Sequence, residues 1–463
     1  MSETTAFEPG VPSPHMHDPD LHPPVGAAKD APSSAPQGAK AAPPGGPSWE
    51  LLSTCVHCGL CLNHCPTYKV LGMEMDSPRG RIYQMLQVNE GKMALGETFV
   101  QHIDRCLGCV ACEIACPSGV KYGRIVERAR AQIEQGYKRP FVQRTLRSFF
   151  YNKVIPNFRT LSLVARLMRF YQRSGMQTLV RKSGLLKLLG VADLDKLSPQ
   201  IDKEFFFDEI GKVFPAVGEK RGQVAFVAGC INNVAFSHLN RATVNVLTQN
   251  GIEVHIPAGQ GCCGALHAHA GLREEARELA RHNIDIFLGG EYDAIVTNAA
   301  GCGSNMKEYD DLLENDPAYL GRAKEFKARM KDVTEYLAAV GLRPPKRKIG
   351  QKVAYQDPCH LANAQRIRTQ PRELLAAIGC ELVELPHPDQ CCGSAGVYNV
   401  AQNELSMKIL EKKMEDVTSV STDMLATANV GCMIQLRAGV EERGLKLPVK
   451  HVMELLDEAY GSS

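Results

Sequence analysis

The 463-residue sequence carries little excess charge of either sign: 53 lysines and arginines stand against 51 aspartates and glutamates, a formal net charge of +2. A nucleic-acid partner calls for a strongly basic balance, so no nucleic-acid function is expected. Long hydrophobic runs are missing as well. Stretches such as Val224–Val227 fall far short of the ~20 residues that a spanning helix needs, which excludes an integral membrane segment. The first residues show no basic segment followed by an apolar one, so no cleaved export signal is expected and the chain is read as cytoplasmic. One more absence is local: no carboxylate occurs between Glu134 and Asp193, a stretch that holds twelve lysines and arginines.

What the sequence has in abundance is cysteine, 17 in all. In a reducing compartment a disulfide framework is the wrong model, and dense cysteines at fixed spacing are read first as metal ligands or redox groups. Two runs are identical in spacing: Cys55-x2-Cys58-x2-Cys61-x3-Cys65-Pro66 and Cys106-x2-Cys109-x2-Cys112-x3-Cys116-Pro117. This is the bacterial [4Fe–4S] signature, in which three thiolates of a tight loop hold one cube while the fourth, just before proline, serves the other cube. Cys55, Cys58, Cys61 and Cys116 are therefore expected around one cluster, and Cys106, Cys109, Cys112 and Cys65 around the second. Structural zinc also takes four thiolates, but its motifs pair them as two separated CxxC knuckles. Between the runs, Ile82, Met85 and Leu86, and then Phe99 to Ile103, recur at helical spacing, so this part should be mainly helical. Arg79 and Arg81 read either as offsets to the cluster charge or as a solvated basic turn.

A second pair of repeats follows. Gly261-Cys262-Cys263-Gly264 and Gln390-Cys391-Cys392-Gly393 each lie 31 residues beyond a lone cysteine, Cys230 and Cys359, and each precedes another, Cys302 after 38 residues and Cys432 after 39. The offset of 129 residues between Cys230 and Cys359 marks a duplicated domain. Strand-like Val224–Ala228, Ala294–Thr297, Lys352–Tyr355 and Leu425–Ala428 run into thiol-bearing turns, and helical stretches lie between, so each copy reads as an α/β unit. The four thiols of each copy, Cys230, Cys262, Cys263 and Cys302, then Cys359, Cys391, Cys392 and Cys432, form a further candidate metal or redox site. Cys380 has no counterpart and reads as an inert buried thiol. Gly259-Gln-Gly261-Cys-Cys-Gly264 matches GxGxxG, but the second copy keeps only the cysteine doublet, so dinucleotide binding is not expected there. No other flavin or nicotinamide motif is visible, which places substrate oxidation on another polypeptide.

The set of motifs from Cys55-Val-His-Cys-Gly59 through Pro78-Arg-Gly-Arg-Ile-Tyr83, Gly261-Cys-Cys-Gly-Ala265 and Cys391-Cys-Gly-Ser-Ala-Gly396 to Ala428-Asn-Val-Gly-Cys432 resembles the iron–sulfur subunit of bacterial glycolate oxidase over roughly residues 50 to 457. The resemblance implies an electron-transfer subunit with two [4Fe–4S] clusters, serving flavoprotein subunits that bear FAD and oxidise glycolate to glyoxylate, with respiratory quinone as the onward acceptor. Lactate or glycerol 3-phosphate systems, and a thiol/disulfide enzyme of the heterodisulfide reductase type, are the alternatives. Related cysteine-rich domains of heterodisulfide reductases end in CxxC. Here the earlier position is Ala299 or Asn429, leaving a further iron–sulfur cluster, zinc, or empty thiols open in each copy.

The expected fold is α+β and multidomain: a mainly helical two-cluster ferredoxin domain (49–135), a basic helical connector (136–221) and two tandem α/β cysteine-rich domains (222–345 and 350–460). Residues 1–48 hold eleven of the 27 prolines and read as a disordered tail, in which His15, His17 and His22 are scattered. In the connector Leu161, Val164, Leu167, Met168 and Tyr171 recur at helical spacing with arginines between them. That is the form of an amphipathic helix on an anionic membrane surface, and equally of a docking face for an acidic subunit. Peripheral attachment to the cytoplasmic face of the membrane is the expectation.

Overall fold

The computed structural model describes residues 45–184, 186, 195 and 197–461. His15, His17, His22 and the proline-rich leader up to Pro44 lie outside the described residues.

The first layer is helical. Helix α1 spans Trp49–Ser53, α2 Pro66–Leu71, α3 Pro78–Asn89, α4 Glu97–Asp104, α5 Ala111–Ile114 and α6 Tyr122–Gly136. Helix α3 starts where Ser77 accepts a bond from the Gly80 amide and Pro78 takes the first helical position, where a missing N–H costs nothing. The buried faces of α3, α4 and α6, with Ile82, Met85, Phe99, Ile103, Ile125 and Ile133, close over one apolar core that also takes in Cys106 and Cys112. Both cluster-type loops are thereby seated on a rigid base. The basic stretch then forms α7 (Phe141–Phe149), a π-helical turn (Phe150–Val154), α8 (Phe158–Arg173) and α9 (Met176–Lys182). Among the described residues no helix is long and apolar enough to cross a membrane.

Two parallel sheets follow, with the same strand order. In the first, β3 (Ile252–His255), β2 (Gly222–Phe226), β4 (Ala294–Thr297) and β5 (Met330–Asp332) lie side by side and parallel, and β1 (Val213–Phe214) adds an antiparallel edge on β3. In the second, β7 (Glu381–Val383), β6 (Lys352–Tyr355), β8 (Met424–Thr427) and β9 (Val449–His451) repeat the parallel set. The central strands β4 and β8 are buried along their whole length, as parallel strands covered on both faces must be. The copies pack reciprocally: helix Ser237–Gln249 of the first lies on helix Val452–Tyr460 of the second, and helix Val333–Val340 of the first on helix Thr369–Ala377 of the second.

Candidate metal centres

In each cluster-type loop the second and fourth residues after the first cysteine adopt left-handed backbone. His57 (φ 55°) and Gly59 (φ 86°) do so in the first run, and Gly108 (φ 67°) and Val110 (φ 48°) in the second. A β-branched residue there is strained by about 1–3 kcal/mol. The first three thiols of each run are electrostatic neighbours, Cys112 of Cys106 and Cys109, and Cys61 of Cys55. The fourth cysteine of the first run leaves its own loop. Cys65 precedes Pro66 and is held extended (φ −87°, ψ 115°), which sends its thiol away from its own loop.

The result is a small cavity whose lining includes Cys65, Cys106, Cys109 and Cys112 together with Arg81 and Tyr122. These four thiols are the set expected from the crossed pattern, brought together from both runs. The other set gathers at the surface. Cys58 is exposed and Cys55, Cys61 and Cys116 half-buried, with Cys55 interacting electrostatically with Cys116 and Cys58, and Cys61 with Cys55.

The electrostatics fit a cationic metal group. Burial raises the Cys109 and Cys112 thiols well above their ordinary range, and neighbouring thiols raise them further. Four such thiols around one cavity can ionise together only with positive charge among them. Cys106 is the exception. Burial pushes it up, but Arg81, Arg130, the Gly108 amide and the Tyr122 hydroxyl together hold it below its usual value. Arg81 is fully buried, with Nη1 4.0 Å from Cys65 Sγ, Nη2 donating to Thr67 Oγ1 at 3.1 Å and Nε to the His102 carbonyl at 2.7 Å. Its counter-ion, buried Asp76, is also held by His102 Nδ1 and Arg105 Nη1, each at 3.0 Å. Arg79 instead sits at the surface, paired with Glu74 at 2.7 Å. The two arginines, alike in sequence, have separate roles. Gly80 between them explains part of this, since a Cβ there would stand 1.9 Å from the Glu74 carbonyl oxygen.

In the cysteine-rich copies the four repeated thiols of each set follow the carboxyl ends of parallel strands, where open α/β sheets form their crevice. Cys230 follows β2, the doublet Cys262–Cys263 follows β3 and Cys302 follows β4. Cys262 Sγ is 3.8 Å from Cys230 Sγ, and the free thiol of Cys263 is a hydrogen-bonding neighbour of Cys262 and Cys302. The doublet is pinned from behind: Asn283 Nδ2 donates to the Cys262 carbonyl at 2.8 Å, and Asn305 Nδ2 and the Tyr309 hydroxyl donate to that of Cys263 at 2.8 and 2.9 Å. In the second copy the free thiol of Cys391 is a hydrogen-bonding neighbour of Cys359 and Cys392, and Cys392 of Cys432. Asn429, at the position of the absent fifth cysteine, donates from Nδ2 to Cys432 Sγ at 3.4 Å, whereas Ala299 in the first copy is simply buried. Among the described residues no three His, Cys, Asp or Glu side chains converge on one point as a single-ion site. Cys380 packs in the core without a thiol partner, and burial pushes it up to about 11.

The sequence reading missed two features. The first is Lys413, fully buried in helix Asn403–Thr418, donating from Nζ to the His387 carbonyl at 2.6 Å and the Pro388 carbonyl at 3.1 Å. Its charge adds to the hydrogen bonds from Cys391 and Cys432 that bring the Cys392 thiol well below its ordinary range. The extra residue after the second doublet shifts the offset to 130 on this helix, as Ala276 beside Gly264 and Ser406 beside Gly393 show, so the matching residue is the neutral Asn283, and comparing the copies could have found Lys413. The second is the seat of the buried cluster loop on the second copy. His360 Nε2 meets the Gly108 carbonyl and Asn363 Nδ2 the Cys109 carbonyl, both at 3.2 Å, and the Tyr398 hydroxyl donates to the Arg105 carbonyl at 2.9 Å. Cys109 and Cys391 share one apolar cluster there, with Cys359 packed against it.

Comparison with known proteins matches four stretches of the chain. A 4Fe-4S dicluster domain matches residues 51–120, the linker region of the glycolate oxidase iron-sulfur subunit matches 142–198, and a cysteine-rich domain matches twice, at 224–307 and 353–437. The chain is similar to a probable glycolate oxidase iron-sulfur subunit of Bacillus subtilis, 40% identical over 89% of this chain and 94% of the relative. It is also similar to the glycolate oxidase iron-sulfur subunit of Escherichia coli, 33% identical over 88% and 94%. Lactate utilization protein A of a Geobacillus species is 28% identical over 51% of this chain and 99% of that protein.

Proposed function

The chain belongs to the family of glycolate oxidase iron–sulfur subunits, and from that membership we propose that it is the electron-transfer subunit of a complex whose FAD-bearing subunits oxidise glycolate to glyoxylate, with respiratory quinone as the final acceptor. The observation that carries this reading is the cavity in which Cys65 meets Cys106, Cys109 and Cys112. Those four thiols hold one [4Fe–4S] cluster, and Cys55, Cys58, Cys61 and Cys116 the other. A cluster supplies one-electron chemistry, whereas a flavin is reduced by two electrons at once. The residues of the chain do the rest. Arg81 and Tyr122 place positive charge and a hydrogen bond against the inner thiols, the core of α3, α4 and α6 fixes the two loops, and His360, Asn363 and Tyr398 lock the inner loop against the second cysteine-rich domain. Cys359, Cys391, Cys392 and Cys432 therefore form the nearest onward site. Whether that set and Cys230, Cys262, Cys263 and Cys302 take iron or zinc is decided by metal content.

The chain attaches to the membrane surface through α7 and α8. No residue of α7 is buried, and Phe141, Val142, Leu146 and Phe149 stand on one side of it, opposite Arg144 and Arg147. On α8, Leu161 and Ala165 are buried while Leu163, Val164, Leu167, Met168 and Phe170 stay open. Among the described residues Arg144, Lys153, Arg159 and Arg166 pair with no carboxylate. Each basic residue near an anionic surface contributes ~1 kcal/mol.

The test is iron and sulfide content with low-temperature EPR on protein purified without oxygen. About eight irons and eight sulfides per chain are expected from two cubes, and a larger number extends the path into the cysteine-rich domains. Cys109→Ser should abolish quinone reduction while glycolate-to-dye activity on the flavin subunits persists; unchanged quinone reduction overturns the ligand assignment. The likeness to lactate utilization protein A supports lactate as a second substrate reading, and turnover of the purified complex with each acid separates the two.

A further inference from the structure

Apart from the connector helices, exposed large apolar side chains concentrate around the outer cluster-type loop. Val56 is 67% exposed, Leu60 57% and Tyr83 54%, and Ile114 is also open. They belong to one neighbourhood. The His57 ring stands edge-on to Tyr83 at 6.4 Å, Arg79 donates to the His57 carbonyl at 3.1 Å, and α5, which ends at Ile114, packs against the turn Leu62–His64 that follows Leu60. Cys58 lies inside this rim and is exposed, whereas Cys65, Cys106, Cys109 and Cys112 are buried. The inner thiols are buried and their loop is seated on the second cysteine-rich domain, so the outer set is the end of the path that is open to another molecule.

Charge separates this surface from the connector. The connector combines exposed apolar residues with unpaired basic ones and suits an anionic bilayer. At the rim around Cys58 the arginine that reaches the loop, Arg79, is already paired with Glu74, unlike the open arginines of the connector. An apolar rim around a redox ligand is the form of a protein interface, in which apolar contact excludes water while bringing a second redox group close.

We propose that the rim formed by Val56, Leu60, Tyr83 and Ile114 is the docking surface of the electron-donating subunit, and that electrons enter this chain through the thiols inside it. The proposal rests on the electron-transfer reading above and adds to it the place of entry. The donor is a reduced flavin on the partner. Oxidation of one flavin releases two electrons, taken up singly by this chain, and leaves the flavin's protons with solvent on the partner's side. With the inner thiols buried, the direction of travel is from the surface loop inward to the loop seated on the second cysteine-rich domain.

The experiment uses the full-length chain, purified without oxygen, and its flavin-bearing partner. The double variant V56E/L60E should bind the partner at least tenfold more weakly and slow reduction of the clusters by the substrate-reduced flavin by a similar factor. Its iron content and its dithionite-reduced EPR spectrum should match those of the unaltered chain. Partner affinity and reduction rate equal to those of the unaltered chain overturn the proposal. Tyr83→Glu, on α3 and outside the loop, gives the same decision if the double variant loses iron. If either variant dissolves a self-associated form of the chain while leaving partner affinity unchanged, the rim is a contact between copies and the proposal fails. Dithionite-reduced spectra need no partner. Absent cluster signals there refute the electron-transfer reading itself, whereas intact signals with undiminished partner binding refute only the docking surface.

Discussion

Arg81 makes the placement of charge around the inner thiols measurable. Its guanidinium is fully buried with Nη1 4.0 Å from Cys65 Sγ, and adding a metal–sulfur bond and half a cluster puts its charge about 8 Å from the centre that accepts the electron. At an effective dielectric of about 20, one unit charge at that range stabilises an added electron by about 2 kcal/mol, or roughly 90 mV for a one-electron couple. Asp76, 3.4 Å from Arg81, opposes this, but its charge is shared with Arg105 and His102. Arg81→Gln should therefore lower the potential of the inner cluster by roughly 50–90 mV, and Arg81→Lys by less. Redox titration followed by EPR reads both clusters in one sample, with the outer cluster as the internal reference. A potential that falls by less than about 20 mV, or an equal fall in both clusters, would falsify the assignment of Arg81 to the inner site.

Other changes probe other parts of the fold. Cys263→Ser removes the thiol between Cys262 and Cys302 and should cost activity or assembly of the complex, while normal turnover and assembly count against any role for the doublet. Lys413→Met leaves the His387 and Pro388 carbonyls without their buried donor; a loss of about 1–3 kcal/mol is expected in thermal unfolding, together with lower metal content in the second cysteine-rich domain, and an unchanged melting temperature contradicts it. His238 gives a pH dependence. Its hydrogen bonds to Asp202 and Glu454 raise its pKa from 6.5 to about 9, so the stabilisation is complete below about pH 6.5 and is lost as the pH rises through about 9. Nearly half of the imidazole surface is open to water, and after discounting for screening the contribution is about 1 kcal/mol, roughly 2 °C in Tm. His238→Ala should flatten the fall between pH 6.5 and 9, and an unaltered pH profile rules the pair out.

Most of the fold was legible because it is periodic. Strand-like Val224–Ala228 and Leu425–Ala428 appear as β2 and β8 within a residue or two, and Leu161, Val164 and Leu167 lie on α8 as their spacing implied. The meeting of Cys65 with the second run was legible for a different reason: a cysteine before proline is kept extended, so the sequence itself separates it from its own loop. Burial was not legible. Arg79 and Arg81 are chemically alike and two residues apart, and only the packing of α3 against α4 turns one inward to the thiols and leaves the other at the surface.

The duplication shows where sequence symmetry stops being a guide. Equal cysteine spacing makes the two copies look interchangeable, and the repeated strand order supports that. Yet the residues that seat the inner loop are His360, Asn363 and Tyr398, and 129 positions earlier stand Ile231, Val234 and His269. Isoleucine and valine have no group to offer a carbonyl, and His269 is turned to Glu127 at 2.7 Å. With the neutral Asn283 at the place of Lys413 as well, the first copy lacks both these contacts with the inner loop and the buried cation. The copies share a frame that gathers four thiols, and divergence outside the cysteines gives only the second copy the side chains that seat the inner loop and a buried cation beside its doublet.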